Sequence, residues 1–138
     1  MITREADYAI RTVVHLAGLG EGASVSCSEV ARWADVPYRF LRKIVSKLVT
    51  SGIVRSRRGR RGGLVLERPA AQISLLDVIR AVDPRGVTLN TCVGELDSCS
   101  RQSVCRTHTR LAQVQQLIDS RLSDITVDKL VQSGGRSA

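Results

Sequence analysis

The segment that decides the fold runs Ser26-Cys-Ser-Glu29-Val30-Ala31-Arg-Trp-Ala34-Asp35-Val36-Pro37-Tyr38-Arg39-Phe-Leu41-Arg42-Lys43-Ile44-Val45-Ser46-Lys47-Leu48-Val-Thr-Ser-Gly52. Ser26 and Glu29 have the S-x-x-E spacing of a capping box, which opens a helix over residues 26–34. Val30, Ala31 and Ala34 supply its buried side. Asp35-Val36 is a short turn, and Pro37 suits the first position of a second helix over residues 37–51. Gly52 ends that helix. Leu41, Ile44, Val45 and Leu48 recur at helical spacing and face inward. The other face carries Tyr38, Arg39, Arg42, Lys43, Ser46 and Lys47. Most charged helix faces are merely solvated. Here no acidic residue interrupts Tyr38–Ser51, so intrahelical ion pairs do not account for the charge. Two helices in a tight turn, the second basic outside, form a helix-turn-helix whose second helix suits a DNA groove.

Working outward, residues 3–19 predict a helix. Ala6, Ala9, Ile10, Val13, Val14 and Ala17 share one face, Thr3 caps the start, and Gly18 and Gly20 to Gly22 stop it. After Gly52, Ile53–Arg57 and Leu64–Glu67 read as two strands around a turn with five arginines in seven positions, Arg55 to Arg61. A hairpin there is a wing. Arg57, Arg58, Arg60 and Arg61 suit a narrow minor groove, where the potential is most negative; the plain alternative is a disordered basic loop. Pro69–Ser74 connects to a short helix, Leu75–Val82. Residues 83–104 form a loop of unusual length for a compact domain. A long helix follows over 105–122, with Leu111, Val114, Leu117, Ile118 and Leu122 in a stripe that nothing obvious covers. Thr126–Val131 adds a turn or two of helix, and residues 132–138 are expected to be a flexible tail.

The class is therefore mainly α with a small β-wing. The domains are a winged helix-turn-helix over 1–82, a loop over 83–104, a long helix and a C-terminal helix over 105–131, then the tail. The chain of 138 residues carries a net charge of +8. Residues 1–70 hold 13 Lys/Arg against 6 Asp/Glu, and residues 71–138 hold 8 against 7. The first part thus meets a polyanion, here double-stranded DNA, while the second does something else. No apolar run reaches membrane-span length, and the start is unlike a signal peptide. A cytoplasmic protein is the expectation. No Ser/His/Asp grouping or carboxylate pair points to an enzyme, and the Gly-rich turn lacks the phosphate-loop pattern.

Three of the four cysteines cluster as Cys92, Cys99 and Cys105, followed by His108, with spacing C-x6-C-x5-C-x2-H. Zinc sites usually use tight C-x2-C pairs, and none occurs here. Wider spacings in a loop suit an iron–sulfur cluster, whose thiolates spread over several iron atoms. A Cys3His zinc site that stabilises a nucleic-acid-binding fold and a thiol–disulfide switch are the alternatives. If Cys105 and His108 are both helical they share a face, which makes His108 a candidate fourth ligand; the plain alternative is a surface histidine. Cys27, His15 and Trp33 read as packing residues, with Trp33 in the core or the helix-turn-helix scaffold.

With these motifs in this order, residues 1–131 resemble the winged-helix iron–sulfur transcriptional regulators typified by IscR and the nitric-oxide sensor NsrR. Thr3-Arg-Glu-Ala-Asp7-Tyr8-Ala9-Ile10-Arg11 is similar to their first helix. Arg58-Gly59-Arg60-Arg61-Gly62-Gly63-Leu64 is similar to their wing, and Asp77-Val-Ile79-Arg-Ala-Val82 to the helix before the cluster loop. The resemblance implies a homodimer in which the long helix crosses its partner. It implies a [2Fe–2S] or [4Fe–4S] cluster on Cys92, Cys99 and Cys105. For the fourth ligand, His108 matches the histidine of the cluster regulators, and Asp7 matches an aspartate that the nitric-oxide sensors contribute from the other subunit. The first cysteine spacing, six rather than the commoner five, leaves both subfamilies open. The implied function is a regulator, usually a repressor, whose operator affinity follows nitric oxide, redox state or iron–sulfur status.

Overall fold

The computed structural model describes residues 1–60, 62–95 and 98–133. Arg61 of the expected wing contacts and residues 134–138 of the expected tail lie outside them. Helix α1 spans Arg4–Gly18, and the Thr3 hydroxyl accepts from the Ala6 N–H at 3.2 Å. Its buried face is Ala6, Ala9, Val13 and Leu16, with Thr12, whose hydroxyl donates to the Tyr8 carbonyl at 2.8 Å. Helix α2 spans Cys27–Ala34 and has its capping box closed both ways. The Glu29 N–H donates to Ser26 Oγ at 3.2 Å, and the Ser26 N–H donates to Glu29 Oε2 at 3.1 Å. Asp35 reverses the chain in the left-handed region at φ 53°.

Helix α3 spans Tyr38–Thr50 and buries Leu41, Ile44 and Leu48. Pro37 lies one position earlier than its expected first-turn place: its backbone is extended and its carbonyl accepts from the Leu41 N–H at 3.0 Å. Strands β1, Val54–Arg57, and β2, Gly63–Leu66, pair antiparallel with Val54 opposite Leu66 and Arg57 opposite Gly63. Val25, just before α2, bridges to Leu64, with the Leu64 N–H donating to the Val25 carbonyl at 2.7 Å. This ties the wing to the helix-turn-helix. Gly63 sits at φ +153°, and a Cβ on it would lie 2.5 Å from the Val25 carbonyl oxygen, a backbone atom with no room to move aside. Gly63→Ala is expected to destabilise the domain by about 1–3 kcal/mol, read as a lowered Tm, because overpacking and backbone strain add at one position. An unchanged Tm would show that the strand shifts freely.

Helix α4, Leu75–Val82, starts at a second capping box, Ser74 with Asp77. Its Leu76, Val78, Ile79 and Val82 are buried. The loop beyond is less irregular than its length suggests. Asn90 caps a single turn, α5, Thr91–Gly94, and a 3-10 turn spans Gln102–Val104. The long helix α6 spans Arg106–Asp124, and α7 spans Val127–Ser133. Gln132 and Ser133 thus continue a helix instead of starting a tail.

The C-terminal part is also less separate than the expected domain division. The Leu75 N–H donates to the Ile125 carbonyl at 2.7 Å, and the Val127 N–H donates to the Ile73 carbonyl at 2.9 Å. Val127 is buried in the common core, and α7 packs on α1. The chain leaves the winged helix along α6 and returns to it through α7. Along α6 the apolar stripe is mostly uncovered, with Val114 45% and Leu117 66% exposed, and the buried side chain assigned to this helix is Gln115. Trp33 is not in the core: it is 58% exposed and stacks on His15, ring centroids 4.0 Å apart. The small residues Ala31 and Ala34 take the inward positions of α2 instead.

Candidate functional site

Helix α3 is held by its apolar side, so its basic side is presented outward. Arg39, Arg42, Lys43 and Ser46 are exposed. Among the described residues no carboxylate pairs with the three cations. Unpaired cations on one face favour an anionic partner. Lys47 is placed differently from its neighbours. Its ammonium pairs with Glu5 of α1 at 2.7 Å and donates to the Val82 carbonyl at the end of α4 at 3.3 Å. It links α3 to the rest of the domain as well as bordering the basic face. Tyr38 is 47% exposed and Phe40, which the charge pattern passes over, is 49% exposed. The signal was present: Phe40 is apolar yet falls off the stripe of Leu41, Ile44 and Leu48.

In the wing, Arg55 pairs with Glu67 across the strands at 3.4 Å, whereas Arg57, Arg58 and Arg60 are exposed and unpaired among the described residues. The turn is tight. The Gly62 N–H donates to the Gly59 carbonyl at 2.9 Å, and a Cβ on Gly62 would lie 2.4 Å from the Arg57 carbonyl oxygen. Glycine here lets an arginine-bearing tip stay narrow.

The structure brings Cys92, Cys99, Cys105 and His108 to one cavity of about 260 Å³, completed by Asn90, Thr91, Ser98, Thr107 and Leu111. Three elements deliver them: α5 carries Cys92, the following loop Cys99, and α6 both Cys105 at its N-cap and His108 in its first turn. Cys105 is not helical, as a shared helical face with His108 would require; it is the N-cap of α6 with extended backbone. The two residues still meet, because an N-cap side chain faces the N–H groups of the second and third helical residues, here Thr107 and His108. The neutral thiol makes no capping hydrogen bond. The backbone N–H of His108 nevertheless favours the thiolate, with help from Thr107 and the charge of Arg101. Together they hold the Cys105 pKa below the ordinary thiol value despite some burial. Burial pushes the Cys27 thiol the other way, with only partial relief from Arg42. In reduced, metal-free protein, limiting iodoacetamide at neutral pH is therefore expected to label Cys105 well before Cys27, read by peptide mass spectrometry. Faster labelling of Cys27 would contradict this ordering.

His108 Nδ1 and Gln102 Oε1 are buried without a hydrogen-bond partner, while His108 Nε2 lies 3.4 Å from Gln102 Nε2. A buried ring nitrogen without a partner is costly unless something outside the chain meets it. Among the described residues no three of His, Cys, Asp or Glu converge closely enough to hold one metal ion. Asp7 stands apart on α1, where it pairs with Arg11 at 2.7 Å.

The loop is fixed by a residue that pattern reading did not find. Gln115 Oε1 accepts from the Leu89 N–H at 2.9 Å. Its Nε2 donates to the Val87 carbonyl at 2.6 Å and to Asp119 Oδ1 at 3.0 Å. Asp119 Oδ2 in turn meets Arg80 of α4 at 3.3 Å. A glutamine in a polar helix carries no sequence signal for burial.

A sequence profile of the Rrf2 family, described as an iron-dependent transcriptional regulator, matches residues 2–133. Among solved structures, the chain is similar to CymR of B. subtilis, titled the global cysteine regulator. The identity is 21%, the TM-score 0.77, and 96% of this chain and 97% of that chain are covered. It is similar to IscR of T. potens at 22% identity and TM-score 0.75, covering 100% of this chain and 93% of that one. The oxidised form of Staphylococcus aureus CymR gives 22% and 0.74, with 95% of each chain covered. At these identities the neighbours establish a shared winged-helix fold. No helix of the described residues is long and apolar enough to cross a membrane. The family match spans nearly the whole length, and the chain belongs to the Rrf2 family of transcriptional regulators.

Proposed function

We propose that this regulator binds operator DNA as a homodimer and that an iron–sulfur cluster on Cys92, Cys99 and Cys105, with His108 as fourth ligand, controls its grip. The observation that carries the reading is the shared cavity of these four residues beside α6. The donor set fits. Three soft thiols suit iron–sulfur chemistry, Cys105 is biased toward the thiolate, and His108 keeps a buried nitrogen unpartnered. The spread of the thiols, too wide for one ion, matches ligands that reach different irons. When bound, the cluster supplies a redox- and nitric-oxide-sensitive anchor for the loop. A non-thiolate ligand makes that anchor labile.

The chain's own residues do the rest. Arg39, Arg42, Lys43 and Ser46 meet phosphates and base edges in the major groove, and Arg57, Arg58 and Arg60 of the wing enter the minor groove. Val114 and Leu117 are covered by the same stripe of a second copy. Two winged helices then address half-sites about one helical turn apart. The loop's order must differ between loaded and empty protein, and operator affinity must differ with it, for control to exist.

The test is anaerobic isolation with iron, sulfide and zinc counts and a visible spectrum. A coloured protein with iron and sulfide in comparable amounts supports the reading. A colourless protein that takes no iron on reconstitution removes it, and one zinc per chain would point to a structural zinc site. His108→Ala is expected to change the spectrum and Asp7→Ala to leave it intact; the reverse outcome transfers the fourth ligand to the partner subunit. A second reading, a thiol–disulfide switch, is favoured by the same shared cavity, since it brings thiols of different elements together. Reversible DNA binding with reductant alone and no iron would establish it.

A further inference from the structure

The one buried side chain assigned to α6, a helix of 19 residues, is polar, and it faces the cysteine loop. Gln115 is 8% exposed and uses both ends of its amide. One end takes the Leu89 N–H; the other reaches the Val87 carbonyl and Asp119. These backbone groups lie just ahead of Cys92. Helix α6 therefore grips the loop three residues before its first cysteine, while Cys105 begins the same helix.

The contacts continue away from the cysteines. Asp119 holds Arg80 of α4, and the Arg80 side chain lies over Gly86, which turns the loop at φ +66°. Helix α4 packs on α3, and its last carbonyl, that of Val82, receives the Lys47 ammonium of the DNA-facing helix. Arg85 adds a tie within the loop to Glu95 at 3.5 Å. A buried amide with three partners has one geometry in which all are satisfied, so displacing the loop leaves polar groups unpaired. These hydrogen bonds are made together or lost together, so they respond to loop displacement as a unit.

We infer that Gln115 is the positioning residue that converts the state of the cysteine loop into the placement of α4 and, through it, of the DNA-facing helix. The inference rests on the proposed function in that the loop has two states. It adds which residue senses the difference. The hydrogen bonds of Gln115 go to the loop backbone and to Asp119, and none goes to a thiol. Its role is to make loop order and α4 position one event.

The experiment uses the full chain with Gln115→Leu, which keeps the bulk and removes the hydrogen bonds. Amide exchange at Leu89, whose N–H loses its acceptor, is expected to accelerate at least about tenfold, the scale of one buried hydrogen bond. The ratio of operator affinities between iron-loaded and iron-free protein is expected to fall by about tenfold or more toward unity, with the visible spectrum retained and Tm lowered only modestly by the lost hydrogen bonds. A purely structural residue would lower Tm without touching that ratio. Arg80→Leu separates the links: Leu89 exchange stays slow because Gln115 still holds it, yet the ratio falls. A wild-type affinity ratio in both variants overturns the inference, and so does unchanged Leu89 exchange in Gln115→Leu. Should Gln115→Leu fail to hold the cluster, Arg80→Leu decides alone. If the wild type takes up no iron, the cluster reading has failed separately, and the same ratio is read between reduced and oxidised protein.

Discussion

Cys99→Ala is expected to yield a colourless, folded protein. The residue is exposed and lies outside every apolar contact of the core, so removing its sulfur leaves stability near the wild-type value. In the proposed site the substitution takes one of three thiolates and leaves two with a weaker imidazole. Changes to groups that merely support the ligands cost metal sites roughly 10–100-fold in affinity, and a missing thiolate costs more. Visible absorbance and bound iron should both fall to background, while far-ultraviolet circular dichroism stays unchanged and Tm matches that of wild-type protein stripped of iron. Operator affinity of the variant should equal that of wild-type protein stripped of iron. A normal visible spectrum would take Cys99 off the ligand set, and a collapsed Tm would make it a structural residue.

The second large effect concerns the wing. Arg58→Ala and Arg60→Ala together remove two exposed guanidinium groups from a tip of narrow glycine geometry. For every phosphate that goes unneutralised, the dependence of log affinity on log salt is expected to flatten by about one unit. An arginine seated in a groove is worth about 1–3 kcal/mol, so the operator affinity of the double variant should drop by roughly two orders of magnitude or more. The drop should be greatest where the minor groove is A·T-rich, because narrow grooves concentrate negative potential. The fold should be untouched, since neither side chain pairs within the described residues. Fluorescence anisotropy with a labelled duplex at several salt concentrations measures all of this. An unchanged slope would remove the wing from the DNA interface.

Much of this was legible in the sequence because local rules and tertiary packing agree. Ser26 and Glu29 spell a cap that the structure closes, and Leu41, Ile44 and Leu48 spell a face that it buries. The Arg/Gly turn between two apolar pairs reads as a hairpin, and the structure pairs the strands on either side of it. What stayed hidden is what depends on partners distant in sequence. Lys47 looks like its basic neighbours until Glu5 and the Val82 carbonyl are seen beside it. Trp33 has a core residue's composition, but Ala31 and Ala34 already fill the inward side of α2. Val127 shows nothing in its surroundings to say that it returns to α1. Gln115 is invisible for the most general reason: hydrogen bonding of a neutral side chain to backbone leaves no periodicity. The cysteine spacing pointed to a clustered set of thiols, which the structure brings to one cavity, yet it did not show that Cys105 caps a helix, where the peptide N–H groups act on its sulfur.

The return of the chain through α7 gives α6 the mechanics of a lever clamped at its middle and its far end. Its middle is fastened to the cysteine loop through Gln115, and its far end is sewn to α4 and α1 by the Ile125 and Val127 backbone and the Val127 side chain. Such a rod cannot pivot without carrying the DNA-reading body with it. It is about 28 Å long, so a tilt of about five degrees moves the far end by roughly 2.5 Å, about three-quarters of the ~3.4 Å rise of one base pair. In the proposed homodimer, a small change of angle where the two copies cross would thus be enough to put their reading heads out of phase with a duplex.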